Sequence, residues 1–424
     1  MEKQIADLVI LNAKQLLTMK PIPPLDDEGE ENPLGLIEDG AVAVKDGKII
    51  AVGKTNDVIK QIDFGKNTVH IDANKKVVMP GFVDPHTHVV FKGTREREFL
   101  LRQQGVPYAK IKKEENTTII STVRWTRKAS YEELLEITKN HIYKMIDWGT
   151  TTLEIKSGYG LNLEEEIKIL RIAKYFKEYS PLNIRSTLLA AHVVPPEYNM
   201  RSEKYVELVI NDIIPIITKN KLADFNDVWC EKGAFTREQT KKILRAGSNY
   251  GLRPKIHADE ISDAGGAKLA AEVEAISADH LVHSSEEGLK KMKEAGVVAV
   301  LLPITTYSLG ECTFADGKKM LDMGLTVALG TDYNPGTAMS PSMPLVISFA
   351  VVRLKMDIVN ALYGATLNAA KAIGMEKEVG SLEVGKRANI NVLDIQNYEE
   401  IPYRIAENYV EIVISNGEVL KGEF

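Results

Sequence analysis

The chain has 424 residues, of which 44% are hydrophobic and 26% are charged, proportions typical of a globular protein. This length exceeds one ordinary core and predicts more than one structural unit. A formal net charge of −6 argues against a nucleic-acid-binding protein, since such proteins carry a basic face. Two distant cysteines, Cys230 and Cys312, fit a reducing cytoplasm, and no apolar stretch approaches the ~18 to 20 residues that span a bilayer. We expect a cytoplasmic protein that binds neither nucleic acid nor membranes.

Both ends of the chain have the pattern of short β-strands. In residues 1–75 and again in residues 376–424, Val- and Ile-rich runs are separated by the tight-turn pairs Asp46-Gly47 and Asn416-Gly417. The acidic stretch Pro21 to Pro33 is predicted to be a surface loop. Two β-rich ends around a long middle segment predict that the termini meet in one small β-sandwich domain.

The middle of the chain, residues 76–375, alternates apolar runs with helical patterns. The runs are Val77 to Val83, Thr151 to Ile155, Ile184 to Ala190, Asn226 to Cys230, Pro254 to Ile256, Ala275 to Ala278, Val297 to Leu302 and Thr326 to Leu329. Helix starts are marked by the pairs Ser130 with Glu133, Thr236 with Gln239 and Ser284 with Glu287. Eight strands alternating with helices predict an α/β fold, the (β/α)8 or TIM barrel. A doubly wound sheet rarely needs eight parallel strands.

Histidines are concentrated at the ends of these apolar runs. His86 and His88 follow the first run, His192 the third, His257 the fifth and His280 the sixth, and Asp332 follows the eighth. In a barrel the carboxyl ends of the strands meet on one face, where the active sites of this fold lie. In an extended segment, residues two apart point the same way, so the first two histidines can bind one ion. These residues are therefore expected to form one site.

Ligand chemistry predicts one divalent metal ion held by His86, His88, His257 and Asp332. Neutral imidazoles and a carboxylate suit zinc or iron, as Zn²⁺ or Fe²⁺/Fe³⁺, and the sequence does not distinguish the two metals. Three histidines and one aspartate leave a position for water, as a catalytic site requires. The pattern predicts a metal-dependent hydrolase.

Three residues are predicted to carry the proton chemistry of this site. Asp332 is placed to touch the ion and to accept a proton from water. Glu260 lies three residues past His257 and suits proton transfer to a leaving nitrogen. His280 is expected to orient the water or to stabilise an oxyanion. The motifs of serine hydrolases, of His-Glu-x-x-His metalloproteases and of P-loop proteins are missing from the sequence.

Several longer motifs resemble the amidohydrolase superfamily and, within it, the imidazolonepropionase family. They are Pro80-Gly-Phe-Val-Asp-Pro-His-Thr-His88 with Arg95, Glu154-Ile-Lys-Ser-Gly-Tyr-Gly160, Ala191-His-Val-Val-Pro-Pro196, Asp279-His280 and Thr331-Asp-Tyr-Asn-Pro-Gly-Thr337. The resemblance implies hydrolysis of the cyclic amide of 4-imidazolone-5-propanoate to N-formimidoyl-L-glutamate, a step of histidine degradation. It also implies a homodimer.

The same resemblance implies which residues contact the small molecule. Arg95, Tyr159, His192 and Glu260 would contact the substrate, and Tyr159, Asn334, Gly336 and Thr337 would contact the product. A propanoate tail needs a cation and hydrogen-bond donors, which the Arg95 guanidinium and the Tyr159 hydroxyl supply.

Some points stay open in the sequence. The segment Glu114 to Ile120 stands where a glycine-rich loop is expected, so substrate contacts from it are in doubt. Lys156 and Lys232 lie near strand ends without an assigned role. An alternative function is that of another mononuclear amidohydrolase, such as a cytosine- or guanine-type deaminase. A non-enzymatic metal-binding protein is a third possibility, which the complete ligand set with Glu260 disfavours.

Overall fold

A computed structural model of the chain describes residues 3–20, 32–106, 108–111 and 117–422. Most of the predicted surface loop Pro21 to Pro33, and the first part of the segment Glu114 to Ile120, lie outside these ranges. Within them, every helix is too short or too polar to span a bilayer.

The strands and helices are numbered in chain order. The strands are β1 (Gln4–Leu17), β2 (Leu36–Lys45), β3 (Lys48–Lys54), β4 (Ile62–Asp72), β5 (Val77–Pro80), β6 (Phe82–Asp84), β7 (Thr150–Lys156), β8 (Asn183–Ala191), β9 (Phe225–Cys230), β10 (Arg253–Ala258), β11 (Ser277–His280), β12 (Val298–Leu301), β13 (Val327–Leu329), β14 (Ile390–Leu393), β15 (Val410–Ser415) and β16 (Glu418–Lys421). The helices are α1 (Thr55–Gln61), α2 (Glu96–Gln103), α3 (Tyr108–Ile111), α4 (Ile119–Lys128), α5 (Tyr131–Asp147), α6 (Leu163–Tyr179), α7 (Ser202–Leu208), α8 (Ile214–Lys219), α9 (Arg237–Asn249), α10 (Gly266–Glu272), α11 (Glu286–Ala295), α12 (Pro303–Leu309), α13 (Gly317–Asp322), α14 (Met343–Val352), α15 (Ile358–Gly364), α16 (Leu367–Ala372) and α17 (Glu400–Tyr403). Pro196–Tyr198 is a 3₁₀ helix and Val209–Ile213 is a π-helix.

The two ends of the chain meet, as predicted, and the small β-sandwich domain expected from them is built on one mixed sheet. Its strand order is β16-β15-β14-β5-β1-β2-β3, and β4 pairs with β1. Apolar side chains from both ends, among them Ile10, Val42, Ile390 and Ile414, share one core, so the ends cover each other's apolar faces. The residue boundaries that the sequence predicts for this β-rich domain, 75/76 and 375/376, stay predictions.

The middle of the chain forms the predicted barrel. Strands β6 to β13 pair in sequence order, and every pair is parallel within the described residues. The first and last strands meet just beyond their ends, where the Asp332 amide donates to the His86 carbonyl and the His88 amide donates to the Tyr333 carbonyl, both at 3.0 Å. Closure of the barrel therefore brings Asp332 directly beside the His-x-His segment.

The first predicted barrel strand, Val77 to Val83, is divided in the structure. Its first half is β5, which pairs with β1 and β14 of the end sheet, and its second half is β6 of the barrel. Gly81 joins them so close to Thr151 that a Cβ at this position would lie 2.3 Å from the threonine Oγ1. Continuous apolar sequence hid this change of sheet, because both halves are fully buried.

The helix-start predictions are correct for two helices and wrong by one residue for the third. Ser130 caps α5, and Thr236 forms a full capping box with Gln239 on α9. Helix α11 is instead capped by Ser285, while the Ser284 hydroxyl donates to the Asp259 carboxylate at 2.8 Å. Ser284 and Ser285 give the same helix-capping signal in the sequence. Because the Ser284 hydroxyl is engaged by Asp259, Ser285 is the residue that caps the helix.

Candidate metal centre and active site

The predicted ligands converge at the carboxyl end of the barrel. His86 and His88 follow β6, His257 lies in β10, and Asp332 follows β13. All four side chains are buried. The Nε2 atoms of His86 and His88 are 3.3 Å apart, and each lies 3.5 Å from the Asp332 Oδ1. The site therefore collects three imidazoles and one carboxylate around a common point.

The donor atoms fit a transition-metal ion. His86, His88 and His257 each offer one ligand atom within 4.8 Å of the others, and so do His86, His280 and Asp332. The His257 Nε2 is buried without a hydrogen-bond partner among the described residues, which is costly unless a cation takes its lone pair. Burial lowers the pKa of His86, His88 and His280 well below the usual value, so these rings are neutral, as ligands must be.

Two carboxylates behind the site fix the orientation of the ligand rings. The His86 Nδ1 lies 2.6 Å from the Asp279 Oδ2, and the His257 Nδ1 lies 3.0 Å from the Asp227 Oδ2. The His86 contact is a hydrogen bond, and a neutral imidazole that donates from Nδ1 carries its lone pair on Nε2, so His86 presents Nε2 to the site. For His257 the contact is an ion-pair distance: burial lowers the pKa of this ring, but the Asp227 carboxylate outweighs burial and raises it. Sequence reasoning missed Asp227, which is the third of the six residues of β9 and is recognisable only as a charged residue inside an apolar run.

Behind these carboxylates lies a buried charge cluster, which consists of Glu154, Lys156, Asp227, Lys255 and Asp279. Every one of these side chains is 0% exposed. Burial alone would lower the pKa of Lys156, but the nearby carboxylates outweigh it and raise this pKa, so the side chain is an ammonium. Lys232, the other lysine without an assigned role, is exposed.

The Glu260 carboxylate stands beside the metal-ligand cluster. Its Oε1 lies 3.8 Å from the His280 Nδ1. Burial, reinforced by the negative charge of Asp332, raises the pKa of Glu260 to about 8. Burial also raises the pKa of Asp332 to about 6, although the Thr305 hydroxyl donates to its Oδ2 at 2.6 Å. A carboxyl that titrates near neutral pH is suited to proton transfer.

The loop that carries Glu260 is held by two neighbouring acids. The Asp259 carboxylate accepts hydrogen bonds from the amides of residues 264, 266 and 267, and the Glu231 carboxylate accepts from those of residues 261 and 262. Asp259, His280 and Asp332 have φ values of 51°, 78° and 53°, in the left-handed region that favours glycine. Such conformations persist only where surrounding contacts hold them, as these bonds do for Asp259 and as the bond from the Asp332 amide to the His86 carbonyl does for Asp332.

Two of the predicted substrate residues, Tyr159 and His192, form an aromatic wall beside His88. His192 stacks on His88 with ring centroids 5.1 Å apart, and Tyr159 lies 5.6 Å from His192. Burial lowers the pKa of His192 to about 3 and raises that of Tyr159, so one ring is neutral and the other keeps its hydroxyl proton. Glu166, which sequence reasoning missed, shapes the loop of Tyr159 by accepting hydrogen bonds from the amides of residues 158, 160 and 161.

Arg95 is buried next to this wall, at the start of α2. Its Nη1 lies 3.2 Å from the Glu98 Oε2, and Arg102 also pairs with the Glu98 carboxylate. Two guanidinium groups on one carboxylate leave one positive charge uncompensated within this triad. The Thr118 amide donates to the Glu98 Oε2 at 3.1 Å, so the described part of the segment Glu114 to Ile120 contacts the triad through its backbone.

The loop from Asn334 to Thr337 packs against the Arg95 side chain. The Asn334 Oδ1 accepts from the amides of Gly336 and Thr337, and its Nδ2 donates to the Asp332 carbonyl and the Thr337 Oγ1. A Cβ at Gly336 would lie 1.3 Å from the Arg95 Nη2. Asn334 therefore folds the loop, and only glycine at position 336 leaves room for the guanidinium.

Comparison with known proteins gives a consistent result. Residues 77–420 match the model of the amidohydrolase family. Imidazolonepropionases of Alkaliphilus oremlandii and Geobacillus kaustophilus are 42% and 45% identical to the chain, over 98% and 97% of both sequences respectively. The crystal structure of an adenosine deaminase from Xanthomonas campestris with bound zinc has a TM-score of 0.70 at 18% identity, covering 99% of this chain and 94% of that one. At that identity the likeness concerns the fold alone.

The family match, the barrel fold and the cluster of histidines and aspartate all indicate the same kind of protein. The family model covers most of the chain, and the two relatives are more than 40% identical over nearly their full length. Both comparisons therefore point to the same family. The His and Asp clusters at the barrel mouth are candidate sites for the metal that this family uses. The chain belongs to the amidohydrolase family and, within it, to the imidazolonepropionases.

Proposed function

We propose that the protein hydrolyses the cyclic amide of 4-imidazolone-5-propanoate to N-formimidoyl-L-glutamate in histidine degradation. The observation that carries this proposal is the buried Arg95, with one net positive charge in its triad with Glu98 and Arg102, beside a His3Asp cluster. In a cyclic amide with a carboxylate tail, the carboxylate can pair with Arg95 and the amide carbonyl can face the His3Asp cluster. The relatives named imidazolonepropionase support the same substrate. Metal-dependent loss of the substrate's ultraviolet absorbance on addition of the protein is the test.

We propose one divalent ion, zinc or iron, with His86, His88, His257 and Asp332 as ligands. A bound divalent ion polarises a carbonyl and lowers the pKa of a bound water towards ~7. The neutral rings and the unpartnered His257 Nε2 support this ligand set. The acidic balance of the chain supports the absence of nucleic acid, and a cytoplasmic homodimer is the form that we expect.

The catalytic acids and bases of the proposal are Asp332, Glu260 and His280. Asp332 accepts the proton of the attacking water, because its Oδ1 faces the ligand cluster while its Oδ2 is held by the Thr305 hydroxyl. Glu260 passes a proton to the departing ring nitrogen: in the metal-loaded enzyme its carboxylate first takes up the proton that Asp332 removes from the water, a role for which a carboxyl with a raised pKa, about 8 without the metal, is suitable. His280 is neutral and stands between the two carboxyl groups, where an N–H donor stabilises a developing oxyanion.

The substrate contacts of the proposal follow from the charges of the residues around the aromatic wall of Tyr159 and His192. The Arg95 guanidinium pairs with the propanoate, and the protonated Tyr159 hydroxyl donates to it. The neutral His192 ring, stacked on His88, faces the imidazolone together with Glu260. The loop that packs against Arg95 is expected to contact the product's carboxylate through Asn334, Gly336 and Thr337.

Replacing Gly336 by alanine is expected to raise KM for imidazolonepropanoate about tenfold, because overpacking of about 1–3 kcal/mol displaces the Arg95 guanidinium. Metal content should not change, since residue 336 is not part of the ligand cluster. Steady-state kinetics and metal analysis measure both. The matched control is Gly53→Ala, where a Cβ meets only Val58 Cγ2 at 3.8 Å. Equal KM values for the Gly336 variant and wild type would contradict the packing account.

Metal binding is expected to release a proton from Glu260. Because its pKa is raised to about 8, the carboxyl is protonated at pH 7 in the metal-free protein, and a nearby cation lowers that pKa. At pH 7 the wild type should release about one proton more than Glu260→Gln, a difference that vanishes as the pH rises above 8. Calorimetry of Zn²⁺ binding in buffers of different ionisation enthalpy counts these protons. Equal release by both proteins at pH 7 would contradict the assigned protonation state.

A further inference from the structure

The buried charge cluster behind the metal ligands is not explained by the roles assigned so far. Lys156 lies at its centre. The Lys156 Nζ is 2.7 Å from the Asp227 Oδ2, 3.0 Å from Glu154 and 3.6 Å from the Asp279 Oδ2. Two of these carboxylates are the ones that hold the ligand rings of His257 and His86.

The lysine and the imidazoles share the same carboxylate oxygens. The Asp227 Oδ2 receives both the Lys156 ammonium and the His257 Nδ1, which is 3.0 Å away. The Asp279 Oδ2 faces Lys156 at 3.6 Å and the His86 Nδ1 at 2.6 Å. One ammonium group therefore touches the orienting carboxylates of two ligands that lie on different strands, and its contact with Asp227 is the shorter one.

We propose that Lys156 is a positioning residue for the metal centre, which holds Asp227, and more weakly Asp279, so that His257 and His86 present Nε2 to the ion. This inference rests on the metal centre proposed above. Without the ammonium, Asp227 and Asp279 face Glu154 with Lys255 as the one lysine or arginine that pairs with this cluster in the described part of the chain. Repulsion then moves Asp227 away from the His257 ring, which loses its fixed orientation.

Lys255 provides a matched control because it is equally buried in the same cluster. Its Nζ lies 3.1 Å from Glu154 and 3.8 Å from the Asp279 Oδ2, and it donates to the Pro85 carbonyl at 3.1 Å. It has no recorded contact with Asp227 among the described residues. Lys156→Met and Lys255→Met remove the same charge from the same interior, but only the first removes the partner of Asp227.

The experiment measures Zn²⁺ affinity by competition with a chromophoric chelator in both variants. Lys156→Met is expected to bind Zn²⁺ about 10- to 100-fold more weakly than wild type, the range typical of residues that orient metal ligands. Lys255→Met should lose clearly less Zn²⁺ affinity than Lys156→Met. In the Zn²⁺-loaded protein, the downfield Nδ1–H proton resonance of His257 should be lost in Lys156→Met and kept in Lys255→Met. Wild-type affinity in Lys156→Met, or equal losses in both variants, would overturn the proposal.

A second set of variants tests the route through Asp227. Since Lys156 acts on His257 through this carboxylate, and only more weakly on His86 through Asp279, the double variant Lys156→Met/Asp227→Asn should bind Zn²⁺ only slightly more weakly than Asp227→Asn alone. Additive losses would overturn the proposal. If Lys156→Met does not fold, Asp227→Asn is measured alone, and unchanged Zn²⁺ affinity there overturns the proposal, because it removes the main route from Lys156 to a ligand. These measurements use no substrate, so a wild-type chain that binds no Zn²⁺ would instead overturn the proposed metal centre.

Discussion

Glu260→Gln is expected to keep one metal ion per chain and to lower kcat by about 10²- to 10⁴-fold, the usual contribution of a general acid or base. The reason is that the Glu260 carboxyl is outside the His3Asp ligand cluster but 3.8 Å from His280. Glutamine preserves the size of the side chain and removes its titrating proton. Metal analysis combined with steady-state kinetics measures both effects.

His257→Ala is the companion variant, and it should lose both metal and activity. His257 brings a buried Nε2 to the cluster, and its ring is held from behind by Asp227. The two variants thus separate a ligand from a proton carrier within one segment of four residues. Equal loss of metal in both would show that Glu260 is itself needed to hold the ion and would contradict the role proposed for it.

Arg95→Ala is expected to lower kcat/KM for imidazolonepropanoate about 10²- to 10³-fold, because a buried charge-assisted pair contributes about 3–4 kcal/mol. The loss of kcat/KM in Arg95→Ala should be seen only with substrates that carry a carboxylate. The runner-up function, a cytosine- or guanine-type deaminase, acts on a neutral base, for which Arg95→Ala should matter little. Kinetics with both substrate types therefore distinguish the two functions.

Arg237→Ala is a suitable control for this experiment, since Arg237 pairs with Glu272 on the outside of the barrel. It should leave kcat/KM unchanged. If Arg95→Ala and Arg237→Ala gave the same kcat/KM for imidazolonepropanoate, recognition of the propanoate by Arg95 would be wrong. Release of ammonia from a neutral base by the wild type would favour the deaminase.

The strands and the first layer of the site were predictable because their signals are local. Each barrel strand ends within a few residues of an apolar run, and a histidine or aspartate directly after such a run lands on the catalytic face. The convergence of His86, His257 and Asp332 follows from this rule, although they are up to 246 residues apart in the chain, and their role as metal ligands stays a prediction. Strand alternation alone gave the shared direction of His86 and His88.

The layer behind the ligands could not be predicted, because its meaning depends on pairing between strands. Lys156 and Asp227 are 71 residues apart; in the sequence Asp227 looks like an isolated charge in an apolar run, and Lys156 looks like a polar residue at a strand end. Only the closed barrel shows that their atoms are 2.7 Å apart and that Asp227 holds His257. For the same reason the change of sheet at Gly81 was hidden, since it depends on the close approach of Thr151.

Metal-dependent opening of the imidazolone ring is tested most directly by one assay with three samples. The zinc-loaded protein, the chelator-treated protein and the chelator-treated protein with Zn²⁺ restored are each mixed with 4-imidazolone-5-propanoate, and ultraviolet absorbance and product mass are followed. We expect loss of absorbance and gain of one water in the first and third samples, and neither in the second. Equal rates in all three samples, or no loss in the zinc-loaded protein, would contradict a metal-dependent imidazolonepropionase.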